Sequence, residues 1–386
     1  MNSPSSGQRP PRLLSLDVFR GATIAGMILV NNPGNGPAAY AQLHHAAWNG
    51  WTFTDMIFPF FLFIVGVAMT FSFARRVGEG AARPALMIHI VRRSAIIFAL
   101  GLFVNGFPFG LLPGSEFSLS TWRVPGVLQR IALCYLFAGT IFLYCGVQAQ
   151  CLWTAGLLAC YWLAVFLIPV PGYGAGFLEP KGNLLWYVDS TLLAGHTWIW
   201  APSQGFDPEG IISTFPAIGT TLFGILAGHW LRTERPGVRK AGALVASGIV
   251  LLILGLLLDR WLPINKNMWT SSYVLLMAGW ASAFLGLLFW IVDVRGLKRW
   301  ASPFVIFGMN AIAVYVASEV LAIVIAVLVV AGPDGTHVTL WDFIYRSCFL
   351  PLASPPVASL LFSLTFDLLM FLLAWGLWKK HWFLKV

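Results

Sequence analysis

The sequence predicts an all-α polytopic membrane protein of about ten transmembrane helices with both termini cytoplasmic. Three observations predict it. Only 10% of the 386 residues are charged while 58% are hydrophobic, against about 25% charge in an average soluble domain. The mean hydropathy is +0.77, carried by apolar runs of the roughly 20 residues that a helix needs to cross a bilayer. The basic residues also fall unevenly between alternate connecting segments, as the positive-inside rule requires. This composition excludes a soluble globular fold, a nucleic-acid-binding domain and a disordered scaffold. The net charge of +9 then marks loop topology rather than a polyanionic partner.

The runs place spans near 13–32, 52–74, 86–108, 125–146, 150–169, 210–231, 241–259, 270–292, 302–331 and 355–378. None alternates like a barrel strand, so all are read as helices. The first contains Asp17 and Arg20 and no A-x-A cleavage site, so it is a span and not a cleaved signal. It leaves 1–12 as a cytoplasmic tail and 13–386 as a single transmembrane domain. The second opens on Asp55, whose charge suits a helix N-terminus. The third is apolar apart from its Arg92–Arg93 end, and the fourth carries Gln129 and Arg130 one turn from its outer end. The fifth and the seventh and eighth are plain apolar runs. The sixth follows Asp207 and Glu209, where a capping role competes with a functional one. The ninth exceeds one crossing in length, so tilt or a break near Gly308 is expected. It is kept as one crossing, because two would send Lys379 and Lys380 outside. The tenth holds an isolated Asp367. The five cysteines form no CxxC pair and are read as small buried apolar residues.

Seventeen basic residues, among them Arg75, Arg76, Arg92, Arg93, Arg232, Lys240, Lys379 and Lys380, lie on one set of alternating segments. Arg123, Lys181, Arg260, Lys266 and Arg346 make up the other. The first set is read as cytoplasmic. Segment 33–51 has no Lys or Arg and holds His44 and His45; segment 170–209 is rich in aromatics such as Trp186, Tyr187, Trp198 and Trp200. Both are expected to be extracytoplasmic. The aromatics suit either stacking on a sugar ring or an interfacial belt.

Charged residues inside a bilayer cost about 2.5–3.5 kcal/mol each at its centre on the translocon scale, so each needs a reason. Asp17 and Arg20 share a helix face and can pair. Tyr315 and Glu319 share another, which Asn310 joins only if the helix is distorted. His45, Asn49, Asp55, Arg130 and Glu209 fall at a common depth near the outer surface and resemble a reaction site more than a lipid-facing one. For Arg130 the expected partners are Asp55, Asp207, Glu209 or an anionic ligand. None of the seven histidines makes a metal-ligand pattern, so no metal is expected. His44 and His45, being adjacent, point apart, and at most one serves a given site. Pattern alone leaves His45 open between an ordinary interfacial histidine and a catalytic one.

The strings RLLSLDVFRG at 12–21, HAAWNGWTFTDMIFPFFLFIVG at 45–66, PGVLQR at 125–130, FDPEGI at 206–211, NKNMWTSSYVLLMAGW at 265–280, VDVRG at 292–296 and FGMNAIAVYVASE at 307–319 resemble the heparan-alpha-glucosaminide N-acetyltransferase family. The likeness is collinear over nearly all of 12–320. It implies an integral membrane acyltransferase that takes acetyl from cytosolic acetyl-CoA and delivers it to an amino sugar across the membrane. His45 takes the place of the family's catalytic histidine. Asn31 falls on its asparagine, and Asp17, Arg20, Asn49, Asp55, Arg130, Asp207, Glu209, Asn310 and Glu319 fall on other motif positions. His44 is outside the motif. Ser318 stands where the animal enzymes carry a histidine, and the luminal N-terminal domain and extra helix of the lysosomal enzyme are expected to be missing.

The chemistry implied has His45, Asn31 and Asp55 as the catalytic group and the other motif residues as binders of substrate. A histidine with an ordinary pKa near 6.5 can take the proton from an attacking amine, or carry the acetyl group itself. Asn31 or Asn49 would donate to the oxyanion. The expected partners are acetyl-CoA, a glucosamine-type acceptor and membrane lipid, with a homodimer admitted. The expected location is the bacterial inner membrane. A sugar or amino-sugar transporter coupled through Asp17, Arg20 and Glu319, and an O-acetyltransferase of cell-wall sugars, are the alternatives.

Overall fold

In the membrane interior helices gain little from the hydrophobic effect, so close backbone packing at small residues has to hold them together. The computed structural model, which describes residues 13–332 and 336–383, is built on such contacts. Its helices are α1 (Leu14–Asn31), α2 (Phe53–Gly78), α3 (Arg83–Gly106), α4 (Val127–Tyr144), α5 (Val147–Leu167), the short α6 (Leu184–Leu192), α7 (Ile211–Leu231), α8 (Gly237–Leu258), α9 (Ser271–Phe289), α10 (Ser302–Met309), α11 (Ala311–Val327), α12 (Leu340–Ile344) and α13 (Pro355–Lys379). A Cβ on Gly248 of α8 would fall 2.7 Å from the Gly279 carbonyl, and one on Gly279 of α9 2.8 Å from that of Gly248. Gly66 of α2 meets the Thr221 carbonyl of α7, and Gly224 of α7 returns the contact to Phe63. Gly21 and Gly308 do the same between α1 and α10. Any side chain at these positions would force the pairs apart.

Nine of these helices are long and apolar enough to cross a membrane, close to the boundaries read from the sequence. The ninth expected span is α10 plus α11, bent by 70° at Asn310, two residues from the expected break. It is one crossing. Asp293, before α10, accepts from Leu14 N and Ser15 N at the start of α1. Beyond α11, Trp341 Nε1 donates to the Gly34 carbonyl, and Gly34 N to that of Ser359, just past the end of α1. The segment from Asp293 to Trp341 therefore begins at one end of α1 and finishes at the other. The first and last described residues lie at one end of the bundle, where Asn310 Nδ2 donates to the Trp382 carbonyl; we call it the terminal end. The N-terminal tail 1–12, with Arg9 and Arg12, and Lys385 lie outside the described residues.

Two expectations need correction. The ninth span does not continue as helix to 331: β1 (Val329–Ala331) pairs antiparallel with β2 (His337–Thr339), Val329 opposite Thr339. β-branched residues on both arms favour strand pairing there. Of the cysteines only Cys134 is buried, while Cys151, Cys160 and Cys348 are exposed. Cys151 and Cys160 lie on the outer flank of α5, where an apolar environment does not require burial in protein.

Candidate active site

The loop before α2 is held by the start of that helix. Thr52 and Asp55 form a capping box, which satisfies N–H groups that a helix start leaves orphaned. Asp55 Oδ2 accepts from Thr52 N at 3.0 Å and from Ala46 N at 3.0 Å. Thr52 Oγ1 reaches the His44 carbonyl at 2.5 Å, and the Gln42 side chain accepts from Phe53 N at 3.1 Å. This leaves Asp55 Oδ1 for one further partner, His45 Nδ1 at 2.7 Å. A carboxylate only accepts, so Nδ1 carries the proton and Nε2 presents its lone pair. The His45 side chain is 49% exposed while that of Asp55 is 1% exposed. A fixed anion thus holds an accessible imidazole. His44 turns away and donates from Nε2 to the Ala39 carbonyl at 3.1 Å.

A second loop, between α8 and α9, locks onto the first. Gly50, at φ +96°, donates to the Ile264 carbonyl at 2.7 Å, and Asn265 Nδ2 donates to Asn49 Oδ1 at 3.1 Å. Only glycine adopts that backbone without strain. Asn265 itself is fixed through Met268 N and the Thr270 hydroxyl. The result places Lys266 Nζ 3.3 Å from both Nδ1 and Nε2 of His45. A point equidistant from the two nitrogens is in line with neither lone pair, so the ammonium lies over the ring and acts by charge. Burial pushes the Lys266 ammonium below its ordinary value, against the pull of Glu209 and Asp55.

A third group backs the site. Arg123 donates to both oxygens of Asp207 at 2.8 and 2.7 Å and to Glu209 at 2.7 Å. Asp207 also accepts from Trp198 N and Glu209 N, both at 2.9 Å. Its acceptor sites are filled. Against desolvation by burial, Asp207 and Glu209 hold Arg123 above its ordinary value. Burial raises Glu209, yet the charges of Arg123, Arg130 and Lys266 hold it below the usual carboxylate range. Asp189 accepts from Ile211 N at 3.0 Å and Asp207 N at 3.3 Å. Burial pushes it up to about 7. Arg130 is 1% exposed, contacts the Ser213 hydroxyl and the Gly210 carbonyl, and lies 4.9 Å over the Trp269 ring.

His45, Asp55, Asn49 and Glu209 thus come together as expected from their common depth. Arg130 stands behind them rather than paired to an acid: Arg123, which starts outside the fourth span, has the reach and takes both Asp207 and Glu209. Asp207 is no free binder but the anchor of Arg123. Asn31 is paired with Glu319, Nδ2 to Oε1 at 3.5 Å, and Glu319 has Tyr315 beside it. Asp17 and Arg20 form the expected pair at 3.3 Å, with Arg20 also on the Gly308 carbonyl. They lie with Asn310 toward the terminal end, and the break in the helix takes Asn310 to the chain terminus instead of to Glu319. Sequence reasoning missed Lys266, Arg123 and Asp189. The signal for the first two was present: basic residues on the segments that the charge bias leaves nearly free of them.

A family model described as heparan-alpha-glucosaminide N-acetyltransferase, catalytic, matches residues 12–255. The human protein named heparan-alpha-glucosaminide N-acetyltransferase is 32% identical over 359 residues, covering 81% of this chain and 53% of its own length. The mouse protein of that name is 31% identical over 358 residues, covering 80% and 54%. The chain spans about half the length of these curated relatives. The matched region contains the capping box, the His45–Asp55 pair and the Arg123–Asp207–Glu209 group, and with them this chain belongs to the heparan-alpha-glucosaminide N-acetyltransferase family.

Proposed function

We propose that this protein is a transmembrane acetyltransferase that moves acetyl from cytosolic acetyl-CoA to the amine of a glucosamine-type sugar on the extracytoplasmic side. Both termini face the cytoplasm, and the membrane is the bacterial inner membrane. The observation that carries the reading is the 2.7 Å contact between His45 Nδ1 and the buried Asp55. A base needs a defined tautomer and a free lone pair, and this contact provides both. In the reaction, the amine nitrogen bonds to the acetyl carbonyl carbon while His45 Nε2 takes an amine proton. The carbon–sulfur bond then breaks, and the proton passes from His45 to the leaving thiolate. Lys266, 3.3 Å from the His45 ring nitrogens, faces the oxyanion that develops on the carbonyl. Asn49, whose Oδ1 is held by Asn265, keeps its N–H₂ for the same oxyanion. Asn31 with Glu319, and the remaining oxygen of Glu209, suit an amine or hydroxyls of the sugar.

The test is purified protein with acetyl-CoA and a panel of amino sugars, their N-blocked forms and no acceptor, with product masses read out. N-acetylated free amino sugar, lost in His45→Ala, is expected. Acetylation of N-blocked sugars alone would replace the acceptor by a hydroxyl. Acetyl trapped on His45 without acceptor would replace direct transfer by a covalent route, and no product from any acceptor would overturn the enzyme reading.

A further inference from the structure

Three buried donors without a partner and a tyrosine hydroxyl converge where α2, α3 and α4 meet toward the terminal end. Arg76 ends α2, His89 and Arg93 are one turn apart on α3, and Tyr135 faces them from α4. Arg76 Nε, His89 Nε2 and Arg93 Nε are buried with no hydrogen-bond partner among the described residues, and the buried Tyr135 hydroxyl has only the Arg93 guanidinium beside it. The Arg93 guanidinium lies 4.9 Å over the Tyr135 ring. Arg76 and Arg93 act electrostatically on both Tyr135 and His89, and Arg92 acts on His89; no carboxylate is among the charges that reach either. Glu79, at the end of α2, is exposed and turned to Arg75.

The positive-inside rule explains why arginines lie at this end. It does not explain why two of them turn donors inward beside a tyrosine instead of extending to water, as long basic side chains near helix ends do. Buried donors left without a partner are costly, and more so when charged. Two cations, a histidine and a hydroxyl around one point call for an anion with several acceptor oxygens. Guanidinium groups match phosphate in charge and geometry.

We propose that Arg76, His89, Arg93 and Tyr135 form a binding site for a phosphate ester, separate from the His45 site. Along α2 the levels of Asp55 and Arg76 are about 30 Å apart at 1.5 Å per residue. Two sources carry this chemistry at a membrane surface: the phosphates of CoA, in which case the inference rests on the donor assigned above, and an anionic lipid headgroup, in which case it does not.

The experiment uses the whole protein in phosphatidylcholine nanodiscs. One arm titrates CoA and, for comparison, phosphate-free pantetheine by calorimetry. The other replaces part of the lipid with phosphatidylglycerol and follows Tm. Arg93→Gln should lower CoA affinity at least tenfold with the pantetheine response unchanged, or abolish a phosphatidylglycerol-dependent rise in Tm; which arm responds names the source. Tyr135→Phe, which keeps the packing, should move the same readout in the same direction and stands in if Arg93→Gln does not fold. Arg92→Gln removes an equal charge from the exposed neighbour and should leave both arms as in wild type. Unchanged CoA affinity and lipid response in Arg93→Gln and Tyr135→Phe, or an equal loss in Arg92→Gln, would overturn the site. His45→Ala should bind the phosphate probe normally, so failure of the acetyltransferase reading and failure of this site are distinguishable.

Discussion

The Tyr273 hydroxyl donates to the backbone carbonyl of Asp55 at 2.5 Å, and Pro59 is the reason that carbonyl is free. Pro59 lies inside α2 and has no N–H for the residue four before it, which is Asp55. A side chain from α9 thus supplies the missing bond directly beneath the carboxylate that holds His45. Tyr273→Phe should destabilise the protein by about 1–3 kcal/mol, the cost of a buried unmet acceptor. It should also lower turnover, because Asp55 loses its support. Thermal unfolding and an acetyl-transfer assay on one preparation check both; a variant with wild-type Tm and turnover refutes the coupling.

His45→Ala should fold and insert while losing at least ~10²-fold in turnover, the low end for a general base. His44→Ala should lose far less, since its ring is engaged with Ala39. Equal losses in the two would mean that the loop, not the imidazole, matters. Asp55→Asn keeps the shape but loses the charge that sets the tautomer, so its loss should approach that of His45→Ala.

Removing the Lys266 charge should be felt in rate and in pH profile. Lys266→Gln is expected to lower kcat on the order of 10²-fold, as for one oxyanion donor. Because burial holds the ammonium below its ordinary value, the wild-type rate should fall on the alkaline side earlier than an ordinary lysine would allow. That limb should vanish in Lys266→Gln, and its persistence would assign it to another group.

Arg123→Gln leaves Asp207 and Glu209 buried and facing each other. Breaking such a pair on one side costs about 3–5 kcal/mol. Adding Asp207→Asn and Glu209→Gln should recover part of the loss, which chemical or thermal unfolding of the single and triple variants will show. Arg130→Lys should instead weaken the stack on Trp269 and the contact with Ser213 without releasing an acid.

Burial pushes Asp189 up to about 7 in the folded chain, above the 3.8 of an ordinary aspartate. The folded state therefore favours the protonated form. Its contribution is full below about pH 4 and is lost as pH rises through 7, on the order of 2–4 kcal/mol. Tm should fall between pH 5 and 8 by more in wild type than in Asp189→Asn, and equal slopes would place the titration elsewhere.

The spans were legible because apolar length alone sets them, and the long ninth run signalled its own break. The strand pair after α11 was not, since Val329–Ala331 continues an apolar run and its partner follows after an interruption. At the site, Asp55 could be placed from the capping pattern, but His45 owed its role to family motifs; adjacency in sequence says only that His44 and His45 diverge. Lys266 and Arg123 escaped because they were counted as exceptions to a charge bias. Exceptions of that kind, on a face where basic residues have no topological reason to be, are the ones that need a chemical reason. Arg130 was assigned Arg123's partners because depth was visible in the sequence and reach was not.

The Gly50–Ile264 hydrogen bond joins residues made far apart in time during synthesis. When α1 to α4 have entered the membrane, the histidine loop is already present, but its lysine, its asparagine clasp and the tyrosine under Asp55 have yet to be translated. The His45–Asp55 pair needs only the first two helices, whereas the contacts that clamp it to Lys266, Asn265 and Tyr273 wait for the loop between α8 and α9 and for α9 itself.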